Sequence, residues 1–178
     1  MLDLFAGSGA IGLEALSRDA SNVIFIDNNK ICCDIIKQNI TLLGFASRAI
    51  VIKCDILKTE LWEKKVVERF GYGVVSLVFA DPPYGFGGVS SLPGIIAGSP
   101  VISKDARLVF EHGSDVEMPD HTVSNCRSDA GNGGVCGDDT GRGGGADNFI
   151  GAGVSFEKYK EKSYRGTCIS IYRPVKTE

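Results

Sequence analysis

The chain has 178 residues, 43% of them hydrophobic, and a formal net charge of −3. This length suits one domain and excludes two large ones, and no apolar run reaches the roughly 18 residues that span a bilayer. The acidic balance excludes a polycationic nucleic-acid binder, so any contact with nucleic acid must come from a local patch.

The chain opens with a predicted strand, a glycine turn and a helix. Residues 1–4 are apolar except for Asp3, the turn runs through Gly7-Ser8-Gly9, and residues 10–18 show helical spacing. Glycines let the chain turn tightly and let a ligand approach the backbone, and the helix N-terminus offers unpaired N–H groups. Gly7-x-Gly9-x-x-Gly12 also matches the dinucleotide-binding fingerprint, which is weak evidence when it stands alone.

Strands and helices alternate after this first unit. Asn28 or Asn29 can cap the second helix, and Gly44 follows that helix in the position that favours glycine. The strands are short and apolar, as in a parallel sheet that helices cover on both faces. Further strands are predicted at residues 23–26, 49–52, 74–80 and 107–111, and further helices at residues 28–43, 59–70 and 92–97.

The composition changes in the last third of the chain. Residues 131–153 hold ten of the 23 glycines, and we predict a flexible insertion at about residues 119–153 because this segment cannot bury enough apolar surface. A phosphate-cradling glycine loop is the alternative, but no strand precedes it and no helix follows. Residues 154–164 and 167–172 predict two strands joined by a turn at Arg165-Gly166.

This order of elements predicts an α/β fold in a single domain that spans residues 1–178. We expect a doubly wound, mostly parallel, seven-stranded Rossmann-like sheet that ends in an antiparallel C-terminal hairpin. The six cysteines contain no CxxC pair, which predicts reduced thiols and a cytoplasmic protein.

Acidic side chains mark the predicted strands. Asp27 ends the second strand about 20 residues after the turn, where a carboxylate can hydrogen-bond ribose hydroxyls. Asp3 precedes the turn and would face the cationic end of a ligand, and Asp55 follows the third strand. Each has a structural alternative: Asp3 as a turn former, Asp27 as a helix N-cap, and Asp55 as a loop or cap residue.

The motif Asp81-Pro82-Pro83-Tyr84 follows the fourth strand and resembles that of methyltransferases that modify exocyclic amines, which implies the following roles. An exocyclic amine of a nucleobase is a poor nucleophile because its lone pair is delocalised into the ring. The Asp81 carboxylate and the Pro82 carbonyl can each accept an N–H, which aims the lone pair at an activated methyl group. Pro83 stiffens the turn, and Tyr84 offers a ring for the base to stack on. The alternative is a rigid turn with Tyr84 as a packing residue.

Together, Asp3-x-Phe5-x-Gly7-x-Gly9, Asp27, Asp55 and Asp81-Pro82-Pro83-Tyr84 resemble the class I S-adenosylmethionine-dependent methyltransferases that modify exocyclic amines. Residues 2–18, Phe110-Glu111-His112 and Tyr164-Arg165-Gly166 are similar, more narrowly, to the bacterial RsmD family. That family methylates the N2 amine of a guanine in 16S ribosomal RNA.

The resemblance implies a methyltransferase that uses S-adenosylmethionine, leaves S-adenosylhomocysteine as product and needs no metal ion. Its partner would be ribosomal RNA or the small-subunit particle, with no membrane contact, and we expect a monomer. The catalytic residues would be Asp81, Pro82, Pro83 and Tyr84. The cofactor contacts would come from Asp3, Phe5, Ala6, Gly7, Ser8, Gly9, Asp27, Asn28, Asp55 and Ile56.

The resemblance leaves some features of the chain outside the family pattern. The family has an upstream basic segment implicated in RNA contact, so we expect the natural domain to extend upstream of Met1. The glycine-rich insertion is not part of the pattern either. We expect Glu111 and His112 to stabilise a strand end. Residues 157–162 suit either a solvated strand face or a contact with RNA phosphates.

Three other functions remain open from the sequence. A DNA adenine-N6 methyltransferase would use the same motif, although such enzymes usually carry an extra target-recognition domain. A nicotinamide-dependent oxidoreductase would use the glycine fingerprint but leaves Asp81 to Tyr84 unexplained. The third alternative is an inert fragment that binds the cofactor without turnover.

Overall fold

The computed structural model describes residues 1–122 and 154–175, which form one eight-stranded sheet. Its strands are β1 Leu2–Leu4, β2 Val23–Asp27, β3 Ala49–Lys53, β4 Val75–Ala80, β5 Ile102–Gly113, β6 His121–Thr122, β7 Phe156–Tyr164 and β8 Thr167–Pro174. The spatial order is β3-β2-β1-β4-β5-β8-β7-β6. The first five strands of this order are parallel to one another, and β8, β7 and β6 each pair antiparallel with their neighbours. The predicted fold class is confirmed, and the two-residue β6 makes eight strands rather than seven.

Within the described residues, four α-helices cover the sheet from both sides, as a doubly wound fold requires. They are α1 Ala10–Ser17, α2 Lys30–Leu42, α3 Thr59–Phe70 and α4 Leu92–Ala97. Side chains alternate between the faces of a strand, and β2 therefore contributes Val23 and Phe25 to the core under α1 and α2. Ile24 and Ile26 point to the opposite core, under α3 and α4. None of the helices in residues 1–122 and 154–175 has the length and apolarity to cross a bilayer.

The chain reverses its direction across the sheet between β1 and β4. From β1 it proceeds outward through β2 to β3, then returns to place β4 on the other side of β1. In open α/β sheets such a reversal creates a crevice at the carboxyl ends of the two strands, where ligands bind. Residues 5–9 follow β1 and residues 81–84 follow β4, so both sequence motifs lie at this crevice.

Local signals at the ends of α2 agree with the prediction. Asn29 is the N-cap, and its side-chain oxygen accepts the Ile31 N–H at 2.8 Å. Gly44 follows the helix with φ of +74°, a left-handed conformation that a side chain would strain. Both residues act as the sequence predicts.

Two strands differ from the prediction. Strand β5 begins at Ile102 rather than residue 107, because it pairs with Val75 before an irregularity in the register with β4. Strand β4 is not covered on both faces: Ser76 and Leu77 are exposed. In the described part of the chain, α1 and α2 pack over β1, β2 and β3 and leave this face of β4 open.

The predicted insertion begins later than residue 119. The Tyr172 hydroxyl, on a fully buried side chain, donates to the Pro119 carbonyl at 2.7 Å, and Thr122 is buried where β6 pairs with β7. The buried hydroxyl needs this acceptor, so ordered pairing extends to Thr122. Residues 123–153, on which the rest of that prediction falls, lie outside the described residues.

Candidate active site

The loop after β1 turns sharply with three residues of positive φ. Phe5, Gly7 and Gly9 have φ of 56°, 54° and 81°. The Gly9 N–H donates to the Ala6 carbonyl at 2.7 Å, and the Ala6 N–H donates to Ile26 at 3.2 Å. Left-handed backbone is unfavourable for a bulky residue such as Phe5, and strain of this kind is concentrated at functional sites. The loop therefore has the form of a ligand-binding turn.

Asp27 connects this turn to the end of β2. One carboxylate oxygen accepts the Gly7 N–H at 2.9 Å and the other accepts the Asn29 N–H at 2.7 Å. The side chain is 8% exposed. Since Asn29 caps α2, Asp27 is not its N-cap. Each carboxylate oxygen keeps a further lone pair, so the predicted bonds to ribose hydroxyls remain possible beside the exposed Asn28.

Asp3 is buried beneath the same turn. It is 2% exposed, and its Oδ2 accepts the N–H of Gly12 in α1 at 2.9 Å. This bond favours the turn-forming role, whereas direct contact with a ligand stays a prediction. Burial raises the pKa of Asp3 to about 7, and the Asp27 and Asp81 carboxylates add to the rise against the effect of the Gly12 N–H. The end of β1 is thus a site where a third negative charge is unfavourable.

Replacing this buried carboxyl tests the local electrostatics. The folded-state pKa of Asp3 lies above the unfolded value, so its contribution to stability is fully present below about pH 4 and is lost as the pH rises through 7. Asp3→Asn keeps an acceptor for the Gly12 N–H and removes the charge. We expect it to raise the free energy of unfolding at pH 8 by up to about 4 kcal/mol, and by much less at pH 5.

Urea denaturation at the two pH values, without ligand, measures this difference. Asp105→Asn, which removes an exposed carboxyl from β5, is the control and should show no comparable pH-dependent gain. An Asp3→Asn effect that is equal at pH 5 and pH 8 would contradict the elevated pKa.

The loop after β4 presents the predicted catalytic motif, residues 81–84. Asp81 is exposed at its end of the strand, and partial burial raises the pKa of its carboxyl. The Pro83 carbonyl accepts the Phe86 N–H at 3.0 Å, whereas nothing in the described part of the chain bonds to the Pro82 carbonyl. Tyr84 is 91% exposed and therefore does not serve as a packing residue. Pro82 itself is buried, so the Asp81 carboxylate and the Tyr84 ring are the exposed groups of this turn, and acceptance of a hydrogen bond by the Pro82 carbonyl stays a prediction.

The two loops are in contact with each other. The rings of Phe5 and Phe86 pack edge to face, with centroids 5.2 Å apart and an interplanar angle of 70°. Phe5 belongs to the turn after β1, and Phe86 follows the catalytic motif. This contact couples the position of the predicted cofactor loop to that of the predicted catalytic loop.

A pocket of about 300 Å³ opens beside the catalytic motif. One wall is formed by residues 81–87 and Val89, and the other by the end of β5 with Asp115, Val116 and Thr167. The size suits part of a small ligand, such as a single base. The turn residues Gly7 and Gly9 do not line it, so the predicted cofactor and substrate regions are adjacent and distinct.

Glu111 and His112 have different roles although they are adjacent. The His112 ring nitrogens lie 2.9 Å from the Gly113 carbonyl and 2.9 Å from Ser170 Oγ, and the ring is 6% exposed. It therefore stabilises the strand end, as expected. Both residues line the pocket, but only Glu111 has no hydrogen-bond partner among the described residues. Sequence reasoning missed it, although an acid that ends a strand predicted next to the motif strand was a usable signal.

The end of β3 lies further along the same edge of the sheet. The Cys54 N–H donates to the Asp27 carbonyl at 3.0 Å, which brings this loop beside β2. Asp55 is exposed and its Oδ1 accepts the Leu57 N–H at 3.0 Å, as in the loop-forming alternative. Ile56 is buried, and its carbonyl accepts the Trp62 indole N–H at 3.1 Å. Direct contacts from Asp55 and Ile56 to a cofactor stay predictions.

The lysines of the charged run in β7, residues 157–162, differ in their surroundings. The Lys158 ammonium lies 3.3 Å from Asp120 and 3.2 Å from Glu161, and the Lys158 side chain is only 16% exposed. Lys160 and Lys162 are exposed. Lys158 therefore has a structural role, and any contact with RNA phosphates would come from the two exposed lysines.

The fold defines the class as a Rossmann-like α/β sheet, and solved structures that share it include methyltransferases. A solved structure of a conserved hypothetical protein from Streptococcus pyogenes matches with a TM-score of 0.66 at 23% identity, covering 97% of this chain and 83% of that chain. An RNA methyltransferase from Salinibacter ruber, in complex with S-adenosyl-L-homocysteine, matches with a TM-score of 0.56 at 13% identity, covering 99% and 82%. These likenesses establish the fold.

The chain belongs to the family described as Conserved hypothetical protein 95, whose model matches residues 1–134. The protein YlbH of Bacillus subtilis is 33% identical over 119 residues, 67% of this chain and 62% of that protein. The ribosomal RNA small subunit methyltransferase D of Haemophilus influenzae is 34% identical over 85 residues, 48% of this chain. The chain spans 62% and 42% of the length of these relatives. The family resemblance inferred from the motifs is confirmed.

Proposed function

We propose that this chain transfers a methyl group from S-adenosylmethionine to the N2 amine of a guanine in small-subunit ribosomal RNA. The observation that carries the proposal is the Asp81–Tyr84 turn, which ends β4 at the reversal point of the sheet beside an open pocket. The Haemophilus influenzae relative, named a ribosomal RNA small subunit methyltransferase, supports the choice of substrate.

The residues around the turn fit S-adenosylmethionine better than a nicotinamide dinucleotide. Asp3, Asp27 and Asp81 place negative charge where the glycine fingerprint alone would suggest a pyrophosphate. An anionic pyrophosphate would be repelled there, whereas a ligand with a sulfonium and an ammonium group relieves the same repulsion. Asp27 can also accept bonds from ribose hydroxyls. The electrostatics therefore argue against the oxidoreductase alternative.

When bound, S-adenosylmethionine would supply an activated methyl group that the amine nitrogen can take from sulfur, leaving S-adenosylhomocysteine. The protein contributes orientation. The Asp81 carboxylate and the Pro82 carbonyl each accept one N–H of the amine, which localises its lone pair and aims it. The Asp81 carboxylate then takes the proton that the methylated amine loses.

Tyr84 and the pocket hold the base during this step. The exposed ring of Tyr84 is a stacking platform, and base–aromatic stacking contributes about 1–3 kcal/mol. A guanine that is paired in a helix must first be flipped out or already be exposed. The exposed Lys160 and Lys162 suit contacts with nearby RNA phosphates. We expect the substrate to be exposed rRNA or the small-subunit particle, and the reaction to take place in the cytoplasm.

The extent of the domain and its oligomeric state are part of the proposal. The described residues form a single sheet, which supports one methyltransferase domain over residues 1–178. The relatives named as rRNA methyltransferases favour RNA over DNA adenine as the target. We expect a monomer, and size-exclusion chromatography with light scattering tests it.

Calorimetry tests the cofactor assignment. S-adenosylhomocysteine should bind and NAD should not, because only the former suits the carboxylates around the turn. Asp27→Ala should weaken S-adenosylhomocysteine binding by roughly 1–3 kcal/mol, through loss of the bonds to ribose and of the Gly7 contact. Asp105→Ala is the control and should leave the affinity unchanged. Binding of NAD without binding of S-adenosylhomocysteine would overturn the proposal.

A further inference from the structure

Glu111 is an acidic side chain of the pocket that the methyl-transfer step does not use. It lines the same pocket as Asp81 and Tyr84. Ala80 of β4 pairs with Phe110 of β5, so Asp81 and Glu111 follow directly on neighbouring strands. Phe110 is fully buried in the core under α3 and α4, and alternation along β5 turns Glu111 away from that core.

The Glu111 carboxylate has no cation to neutralise it within the described residues. Its side chain is half-buried and forms neither an ion pair nor a hydrogen bond there. Burial raises the pKa of Glu111, and the Asp81 carboxylate adds to the rise. His112 offers no compensation, because its ring nitrogens are occupied by Gly113 and Ser170. The pocket therefore favours a ligand that brings adjacent N–H donors.

Among nucleobases, guanine has this donor pattern next to its exocyclic amine. Its Watson–Crick edge presents N1–H beside the N2 amine, whereas adenine presents an N1 lone pair beside its N6 amine. Two further acids line the pocket, of which Glu111 is on the strand next to Asp81 and Asp115 is exposed in the loop after β5. If Asp81 and Pro82 hold the amine, the acid on the neighbouring strand, Glu111, is the one expected to face the adjacent N1. A carboxylate there accepts N1–H and repels an N1 lone pair.

We infer that the Glu111 carboxylate accepts the N1–H of the target guanine and selects guanine over bases whose N1 is an acceptor. The inference rests on the proposed function and gives it a specificity-determining residue. A site that pairs with a substrate donor rejects an analogue that lacks the donor far more strongly than an apolar pocket rejects a change of size. Glu111 would therefore decide between guanine and adenine while Asp81 treats both amines alike.

A base analogue separates the role of Glu111 from that of the amine-binding groups. The assay uses an rRNA oligonucleotide that contains the guanine methylated by the unmodified protein, and a second oligonucleotide with 2-aminopurine at that position. 2-Aminopurine keeps the 2-amine but has an N1 acceptor. The unmodified protein should prefer guanine by roughly 10²-fold or more in kcat/KM.

Glu111→Gln should reduce this preference at least about tenfold, because the amide can donate to the N1 of 2-aminopurine. Glu111→Ala should also reduce it, since the repulsion is gone, and a variant that folds poorly still yields a ratio. 2-Aminopurine also lacks the 6-oxo group of guanine. We expect this difference to affect all variants equally, so it cancels when their preferences are compared. Asp105→Asn, on the same strand, should keep the original preference.

Each outcome of this assay is decisive. A Glu111→Gln variant that methylates both oligonucleotides more slowly at an unchanged ratio would overturn the inference and leave only a structural role. If the unmodified protein methylates no guanine in rRNA, the proposed function fails. If it methylates guanine and Glu111→Gln keeps its preference, only the contact with N1 fails.

Discussion

Asp81→Ala should lower kcat for methyl transfer by about 10²–10⁴-fold while the affinity for S-adenosylhomocysteine changes by no more than about threefold. The Asp81 carboxylate lies at the end of β4 and lines the substrate pocket, whereas the turn that would hold the cofactor follows β1. Removing the carboxylate eliminates one of the two acceptors that orient the amine, together with the acceptor of its proton. Single-turnover kinetics and calorimetry on the same preparation separate the two effects.

Asp81→Asn is the matched variant, because an asparagine keeps one acceptor oxygen and loses the basic carboxylate. Its rate should fall between those of Asp81→Ala and the unmodified protein. Asp105→Ala, which removes an exposed carboxyl from the beginning of β5, should have no effect on kcat. Full activity in Asp81→Ala would show that the Asp81–Tyr84 motif is only a rigid turn and that its carboxylate has no role in methyl transfer.

Gly12→Ala should destabilise the protein by about 3 kcal/mol, which corresponds to a fall in melting temperature of roughly 6–12 °C for a domain of this size. A Cβ on Gly12 would overlap Cε1 of Phe25 and lie 2.8 Å from Oδ2 of Asp3. Phe25 belongs to β2, and its ring is fully buried against α1 and α2, so it cannot move aside. The close approach of α1 to the sheet therefore requires glycine at this position.

Thermal denaturation by circular dichroism measures this effect, and a second glycine provides the control. A Cβ on Gly87 would meet no atom within 4 Å, and Gly87 does not have a positive φ. Gly87→Ala should therefore change stability by less than about 0.5 kcal/mol. Adding Phe25→Leu to Gly12→Ala should recover part of the loss, since the two side chains are in contact and their effects are not additive. Equal melting temperatures for Gly12→Ala and Gly87→Ala would show that the sheet tolerates displacement of α1.

Local chemistry made much of the fold predictable from the sequence. Asn29 caps α2 and Gly44 ends it, because a side-chain acceptor and a left-handed glycine are effects of short range. The start of β5 was not predictable in this way. Residues 102–106 include polar side chains, and only pairing with β4 across an irregular register makes them a strand. The two-residue β6 likewise depends entirely on its partner β7.

Residues of the candidate site were predictable where they belong to one short motif. They were not predictable where contacts with residues distant in sequence determine what the side chain does. Asp81 and Tyr84 could be proposed as site residues because their chemistry is contained in four consecutive residues, and the structure places both in a pocket. The role of Asp3 depends on a bond to Gly12, nine residues away, and on burial beneath the turn. Glu111 lines the pocket because β5 lies beside β4, and the sequence alone did not show where its side chain would point.

The most direct test of the account is the identity of the methylated nucleoside. The chain is incubated with deproteinised small-subunit rRNA, or with small-subunit particles, and S-adenosylmethionine that carries a deuterated methyl group. The RNA is then digested to nucleosides for mass spectrometry. We expect deuterated N2-methylguanosine with the unmodified protein and its loss with Asp81→Ala. Label in N6-methyladenosine, or N2-methylguanosine that persists in Asp81→Ala, would contradict the account.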